Sequence, residues 1–293
     1  MNLKIKNMVK LVLKIATASI LLLSQLSNAQ QFYGIAVYEV KTKPPSITTE
    51  GAQINDEVAK TIEAQMKKQF EKTYTLTFNQ FEASWKEDQK LEAPTPDTGI
   101  NIRIVNKGDG SKYKSIKDKK YIAEEEIMGK EFLVVDSLPK WEWKMSGETK
   151  MIGGYACYKA VATVKVSEEE KAAFEKDKQQ QEENPKRIII REEPKDYEVT
   201  VWYAPEIPVG HGPDNFWGLP GLILEANDGR TIMLCSKITL NPKEKPTVYK
   251  PKTGEKVSQK KFDEIAEKKA REMQESFQRE GKKDGGMRIR IGG

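Results

Sequence analysis

Between Thr73 and Leu240 the apolar residues recur at every second position, and turn signals interrupt them at short intervals. A chain with that rhythm is confined to short half-buried strands joined by tight turns. Tyr74, Leu76 and Phe78, followed across a turn by Phe81 and Trp85, suggest a hairpin. Ile100 to Val105, Ser115 to Ala123, Glu131 to Asp136 and Trp141 to Met145 continue the series, as does Val161 to Val166. Gly108-Asp109-Gly110, Met128-Gly129-Lys130, Leu138-Pro139 and Gly153-Gly154 supply the turns. Tyr197, Val199, Val201 and Tyr203 give one of the clearest alternations, and Phe32 to Thr42 reads as a further strand ahead of the series. The expected fold is mainly antiparallel β, as a curved sheet, sandwich or partial barrel, with an N-terminal helix and a charged C-terminal helix.

Three segments leave this period. Ile54, Val58, Ile62, Met66 and Phe70 fall at intervals of four, which predicts a helix over Asn55–Lys72 capped by Asn55 or Asp56. Ser167 to Pro185 carries Glu168-Glu169-Glu170 and Gln179-Gln180-Gln181, the composition of a solvated helical excursion. Gln259 to Glu280 places Phe262, Ile265, Ala266, Met273 and Phe277 on one side of a helix that packs on the sheet or binds a partner. The domain layout is therefore a β-rich domain over 30–255 with a charged insert at 167–186, then a helical extension and tail over 256–293.

The first 29 residues have the three-part pattern of a secretory signal peptide. Lys4, Lys6, Lys10 and Lys14 precede an apolar run from Ile15 to Leu26, and Ser27-Asn28-Ala29 offers a cleavage site. The run is shorter than the roughly 20 residues a spanning helix needs. Export to the periplasm or outer membrane is expected. Of 49 basic and 44 acidic residues, removal of 1–29 takes four lysines and no acid, leaving 49 − 4 = 45 against 44, a net charge of +1. That balance gives no footing for a nucleic-acid partner. In an oxidising compartment Cys157 and Cys235, the only cysteines, are candidates for a disulfide closing a loop of about 80 residues, worth about 4 kcal/mol on chain-entropy grounds. The alternative is two buried thiols serving as small apolar residues. With one histidine, His211, thiolate–imidazole metal sites are disfavoured, and no cofactor motif is present.

The segment over 202–227 is the most particular. Strand residues end at Pro205, a loop follows with Pro208, Gly210, Gly212 and Pro213, and Gly218-Leu219-Pro220-Gly221 turns into the apolar strand Leu222-Ile223-Leu224-Glu225. Asn227-Asp228-Gly229 then turns the chain back. Gly218-Leu219-Pro220-Gly221-Leu222-Ile223 resembles the hexapeptide of the GLPGLI family of exported Bacteroidetes proteins. Gly154-Tyr155-Ala156-Cys157 and Trp202-Tyr203-Ala204-Pro205-Glu206-Ile207-Pro208-Val209 resemble that family's flanking strands. The resemblance implies a β-rich exported protein associated with outer-membrane transport systems, and it supplies no activity.

His211, Asp214, Phe216 and Trp217 lie close together in the loop and are its candidate binding residues, with an outer-membrane protein as the expected partner. Adjacent Phe216 and Trp217 are not expected to both turn inward. As a general base His211 would need an orienting partner and a nucleophile, and no Gly-x-Ser-x-Gly elbow provides one. Trp141, Trp143, Trp202, Phe216 and Trp217 serve packing or line a pocket. The expected function is that of a non-enzymatic binding or accessory protein. The alternatives are a carrier of a lipid or other apolar ligand, with the Ile54–Phe70 stripe as its lid, and a carboxylate-dependent hydrolase.

Overall fold

The computed structural model describes residues 32–44, 46–47, 60, 70–88, 103–105, 110–183, 189–190, 193–280 and 290–292. The chain divides into Met1–Phe32 and Tyr33–Gly293, and the elements below belong to the second unit. The expected signal peptide lies outside the described residues, as do Ile54, Val58, Ile62 and Met66.

The elements in chain order are β1 (Tyr33–Thr42), β2 (Ser46–Ile47), β3 (Glu71–Asn79), β4 (Glu82–Glu87), β5 (Arg103–Val105), β6 (Lys112–Ser115), β7 (Lys120–Ile127) and β8 (Lys130–Ser137). They continue with β9 (Lys144–Ile152), β10 (Tyr155–Val164), α1 (Glu168–Glu183), β11 (Ile189–Ile190), β12 (Tyr197–Ala204) and β13 (Leu222–Asn227). The last are β14 (Thr231–Leu240), β15 (Glu255–Val257), α2 (Gln259–Glu280) and β16 (Arg290–Gly292).

Twelve strands form one open mixed sheet in the order β15-β8-β7-β6-β4-β3-β1-β14-β13-β12-β10-β9. Two short pairs, β11 with β2 and β16 with β5, stand apart from it. The expected antiparallel sandwich or partial barrel is thereby corrected. The sheet neither closes nor doubles, and β15 runs parallel to β8. A parallel partner cannot follow a tight hairpin, and here residues 241–254 carry the chain from β14 past six strands to the far edge. At about 4.8 Å per strand that crossing needs about 34 Å, within the reach of an extended segment of this length.

The expected N-terminal helix is not borne out. Glu71 and Lys72, its last two residues, are extended and pair with Lys41 and Val40. Thr73, Thr75 and Thr77 are β-branched, and β3 must run along nearly all of β1 to satisfy its backbone, so the strand starts upstream of the expected boundary. Two further expectations change. Ser115–Ala123 is two strands, β6 and β7, separated by a turn over 116–119 in which Lys119 has φ 53°. Trp141 and Trp143 precede β9 and are not themselves in a strand.

Several hairpins follow from local chemistry. Met128-Gly129 and Gly153-Gly154 form two-residue connections with positive φ at both positions, which match the twist of the flanking strands. Helix α1 begins with a reciprocal cap. Ser167 Oγ accepts the Glu170 amide at 3.1 Å, while the Glu170 carboxylate accepts the Ser167 amide at 2.8 Å. Ion pairs Lys176–Glu267 and Lys260–Glu169 link α1 to α2, and α2 buries Phe262 edge-on to Phe132 at 5.6 Å.

One face of the sheet is the core face. Register places Tyr121, Lys114, Ala83, Phe78 and Gly34 in a row across β7, β6, β4, β3 and β1. Gly34 has no side chain because a Cβ would stand 2.7 Å from the Phe78 ring. In that buried row Lys114 is the one charged residue.

Candidate functional site

The loop from Pro205 to Gly221, between β12 and β13, is held against this face by its own main chain and by donors distant in the chain. Gly218 N donates to Gly210 O at 3.0 Å, Leu222 N to Ile207 O at 2.9 Å and Ile223 N to His211 O at 3.0 Å. His211 and Trp217 form an antiparallel bridge across the loop. Ile207, Val209, Phe216 and Leu219 are buried beneath it. The hexapeptide glycines answer steric demands. Gly218 has φ 94°, and a Cβ on Gly221 would overlap the Ala204 carbonyl.

Lys114 supplies the central clamp. Its ammonium donates to Gly212 O, to Asp214 O at 2.8 Å and to Phe216 O at 3.1 Å. Three carbonyls take the three N–H bonds of an ammonium, so alternate residues of the loop are fastened to one buried cation. Burial pushes its pKa down to about 7; nearby Asp214 opposes the shift and Lys112 adds to it. Pro213 O accepts from the loop's own Phe216 N at 3.0 Å, and two further carbonyls are taken by indoles. Trp141 Nε1 donates to Asn215 O at 3.0 Å, and Trp143 Nε1 to Trp217 O at 2.9 Å. Trp217 in turn donates to Pro139 O at 2.8 Å. Five consecutive or alternating carbonyls between 212 and 217 are therefore satisfied from outside the loop.

The four candidate loop residues are brought together but differ in what they offer. His211 is 0% exposed, and neither ring nitrogen completes a hydrogen bond. Burial, with the Lys114 charge adding to it, lowers its pKa to about 3, although the Asn79 main chain pulls weakly the other way. The ring is neutral and packed toward Phe78 at 6.4 Å. Asp214, in the left-handed region at φ 43°, pairs with Lys112 and keeps a third of its side chain exposed. Desolvation pushes its carboxyl upward, but the Lys112 charge and hydrogen bond, with Lys114 behind them, outweigh this and hold it below the usual carboxylate value. Phe216 is buried against Trp141 at 5.0 Å, while Trp217 is half-buried. Both aromatics are accommodated because they pack on different clusters, Phe216 with Val201 and Tyr203, Trp217 with Phe132 and Leu138.

Sequence reasoning missed Lys114 as part of the site and read Trp141 and Trp143 as strand residues. Lys114 is separated from its acceptors by about a hundred positions, and nothing local distinguishes it from other lysines. Trp141 and Trp143 stack at 5.1 Å and 19°, so the aromatic series does assemble here, except Trp202. Trp202 lies on the opposite face under Lys150, whose ammonium sits 4.3 Å from its ring and also pairs with Glu225. Cys157 and Cys235 are unbonded buried thiols on β10 and β14, with β12 and β13 between them in the sheet. Burial raises their pKa values to about 11 and about 12. Among the described residues no three His, Cys, Asp or Glu side chains group as a metal site, and no helix is long and apolar enough to cross a membrane.

Residues 143–225 match the model of a family described as "Protein of unknown function (Porph_ging)". The match opens at Trp143 and closes on β13, so it contains the loop and its indole donor Trp143 but not Lys114. No curated protein matches the chain. Among solved structures the chain is similar to PNGF-II in its C2 and P21 crystal forms, at 14% identity and a TM-score of 0.44 in both. The similarity covers 80% of this chain and 32% and 33% of those chains, so this chain spans about a third of their length.

Proposed function

We propose that this is a GLPGLI-type exported protein acting as a non-enzymatic binding or accessory component of the cell envelope, its signal peptide removed near Ala29. Its recognition edge is the solvent-facing rim of the loop over 206–218, and its partner is an outer-membrane protein, as part of a transport system. The observation that carries this reading is the use made of the loop's chemistry. Lys114, Trp141 and Trp143 spend their donors on loop carbonyls, and His211 is neutral, buried and without a proton-transfer partner. An arrangement of this kind fixes a surface rather than activating a nucleophile. What remains open is a rigid rim bearing Glu206 and Pro208, with Asp214 and Trp217 half-exposed beside it and Pro220 exposed just past its end.

The test is a crosslinked pull-down of the tagged protein from its native envelope, comparing wild type with Pro208→Arg/Pro220→Arg. Both prolines are exposed, so the variant is expected to fold, and its melting temperature is the control. A stoichiometric outer-membrane partner recovered by wild type and lost by the variant supports the reading. Equal recovery by both removes the rim from the proposal, and recovery of the protein alone ends the partner assignment.

A further inference from the structure

The two edges of the sheet are finished differently. At one end the three-residue strand β15 lies against β8, and α2 follows it. At the other end is β9, nine residues with no proline, and among the described residues no strand pairs with its outward edge. An open edge exposes a row of main-chain donors and acceptors. The core-face side of this margin is also apolar. Met145 and Met151 on β9 are 55% and 65% exposed, and Tyr158, beside Thr149 on β10, is 43% exposed.

We propose that β9 is a homodimer edge: it pairs antiparallel with β9 of a second copy about a two-fold axis through Thr149. The charge pattern selects that axis. With the axis through Thr149, Glu148 faces Lys150 of the second copy and Lys150 faces Glu148 of the second copy. An axis through Glu148 would set that carboxylate against itself, and one through Lys150 would do the same for the ammonium. Only an axis through a residue keeps the core faces of both copies on one side, because facing residues then share a face. Guard charges of a single sign on an edge repel a second copy; the alternating signs of Glu148 and Lys150 attract one.

Each of these charges already has a partner within its own chain, Glu148 with Lys159 at 2.9 Å and Lys150 with Glu225 at 2.7 Å. Pairing extends these into one alternating row across both sheets. The same axis sets Met151 of the second copy opposite Gly147. A register shift places Ser146 to Glu148 opposite Lys159 alone, with Gly147 at φ 77°, and no atom beyond its two chain neighbours stands within 4 Å of where its Cβ would be. Gly147 therefore leaves open space beside the axis, so Met151 of the second copy meets no clash there. The two sheets become continuous, and both loops face the same side. This inference stands apart from the envelope partner, since a dimer could form without one and the partner could bind a monomer.

The experiment uses the protein as its host processes it. Thr149→Cys places a thiol on the axis, and mild oxidation is expected to give a disulfide dimer on a non-reducing gel. Glu148→Cys and Met151→Cys, off the axis, are expected to give far less. Cys157 and Cys235 are buried and do not compete. In sedimentation equilibrium Lys150→Glu alone and Glu148→Lys alone each weaken the dimer about tenfold, and mixing the two variants restores it as a heterodimer, with melting temperature as the control for folding. A wild type that sediments as a monomer at its highest soluble concentration, or cross-linking of equal yield at all three positions, overturns the proposal.

Discussion

Two long irregular segments cross opposite faces of the same sheet, and they are held in opposite ways. The loop over 205–221 lies on the core face, with its carbonyls satisfied by a buried ammonium and two indoles. The segment over 241–254 crosses the other face on surface contacts. Lys245 sits over the Tyr33 ring at 5.8 Å, Lys250 over Tyr113 at 4.8 Å, and the Tyr249 hydroxyl donates to Glu124 at 2.9 Å. Only Pro251 within that crossing is buried. Lack of regular structure therefore does not mean lack of rigidity. Backbone that cannot reach water must be satisfied from within, and each donor that does so ties the loop to another element. Where water serves the backbone, side-chain contacts add little.

The contrast is broken most severely at Lys114. Lys114→Met leaves two buried carbonyls and one part-buried carbonyl without donors and is expected to cost about 4 kcal/mol, read as a fall in the urea midpoint. Retention of wild-type stability would mean that the loop does not depend on its clamp. Acid should act next most strongly, through His211. Its folded pKa, about 3, lies below its unfolded value, so its full contribution is present above about pH 6.5 and is lost as pH falls toward 3. A loss on the order of 3 kcal/mol by pH 4 is expected relative to His211→Leu, whose stability curve should be flatter over that window. Parallel pH profiles for the two proteins would rule this out.

Gly221→Ala forces a methyl group into the Ala204 carbonyl, which is backbone and cannot swing aside. A cost of about 2–3 kcal/mol is expected, whereas Gly229→Ala, in an open turn at φ 84°, should cost only about 1 kcal/mol for its backbone conformation. Gly221 lies outside the left-handed region, so equal effects would mean that the strand end at Ala204 yields to the added methyl group. The smallest effect belongs to the other face: Tyr249→Phe should change stability by less than about 0.5 kcal/mol, since the hydroxyl it removes is exposed. A larger loss by chemical unfolding would show that the 241–254 crossing is braced as firmly as the loop.

Much of this was legible in advance where the signal is local. The alternation of Tyr197, Val199, Val201 and Tyr203 is β12, and Gln259–Glu280 is a helix whose Phe262 faces the core. Ser167 with Glu170 marks the start of α1 by a bond made within one turn. The glycines and prolines over 205–221 announce a constrained loop because each proline fixes its own φ and each glycine admits conformations and close approaches that other residues cannot. Such features depend on neighbours a few residues away, and for them the amino-acid sequence was sufficient.

Tertiary structure decided the rest. Whether Lys72 joins a helix or a strand depended on β1 needing a partner along its length, which composition near Lys72 does not report. The roles of Trp141 and Trp143 followed from loop carbonyls 74 positions away, and burial of His211 from the loop folding back onto Phe78. Lys114 is one of 49 basic residues, and its apolar row is assembled from strands far apart in the chain. A buried charge is tolerated only where acceptors converge on it, and that convergence exists only once the sheet has brought β6 beneath the loop.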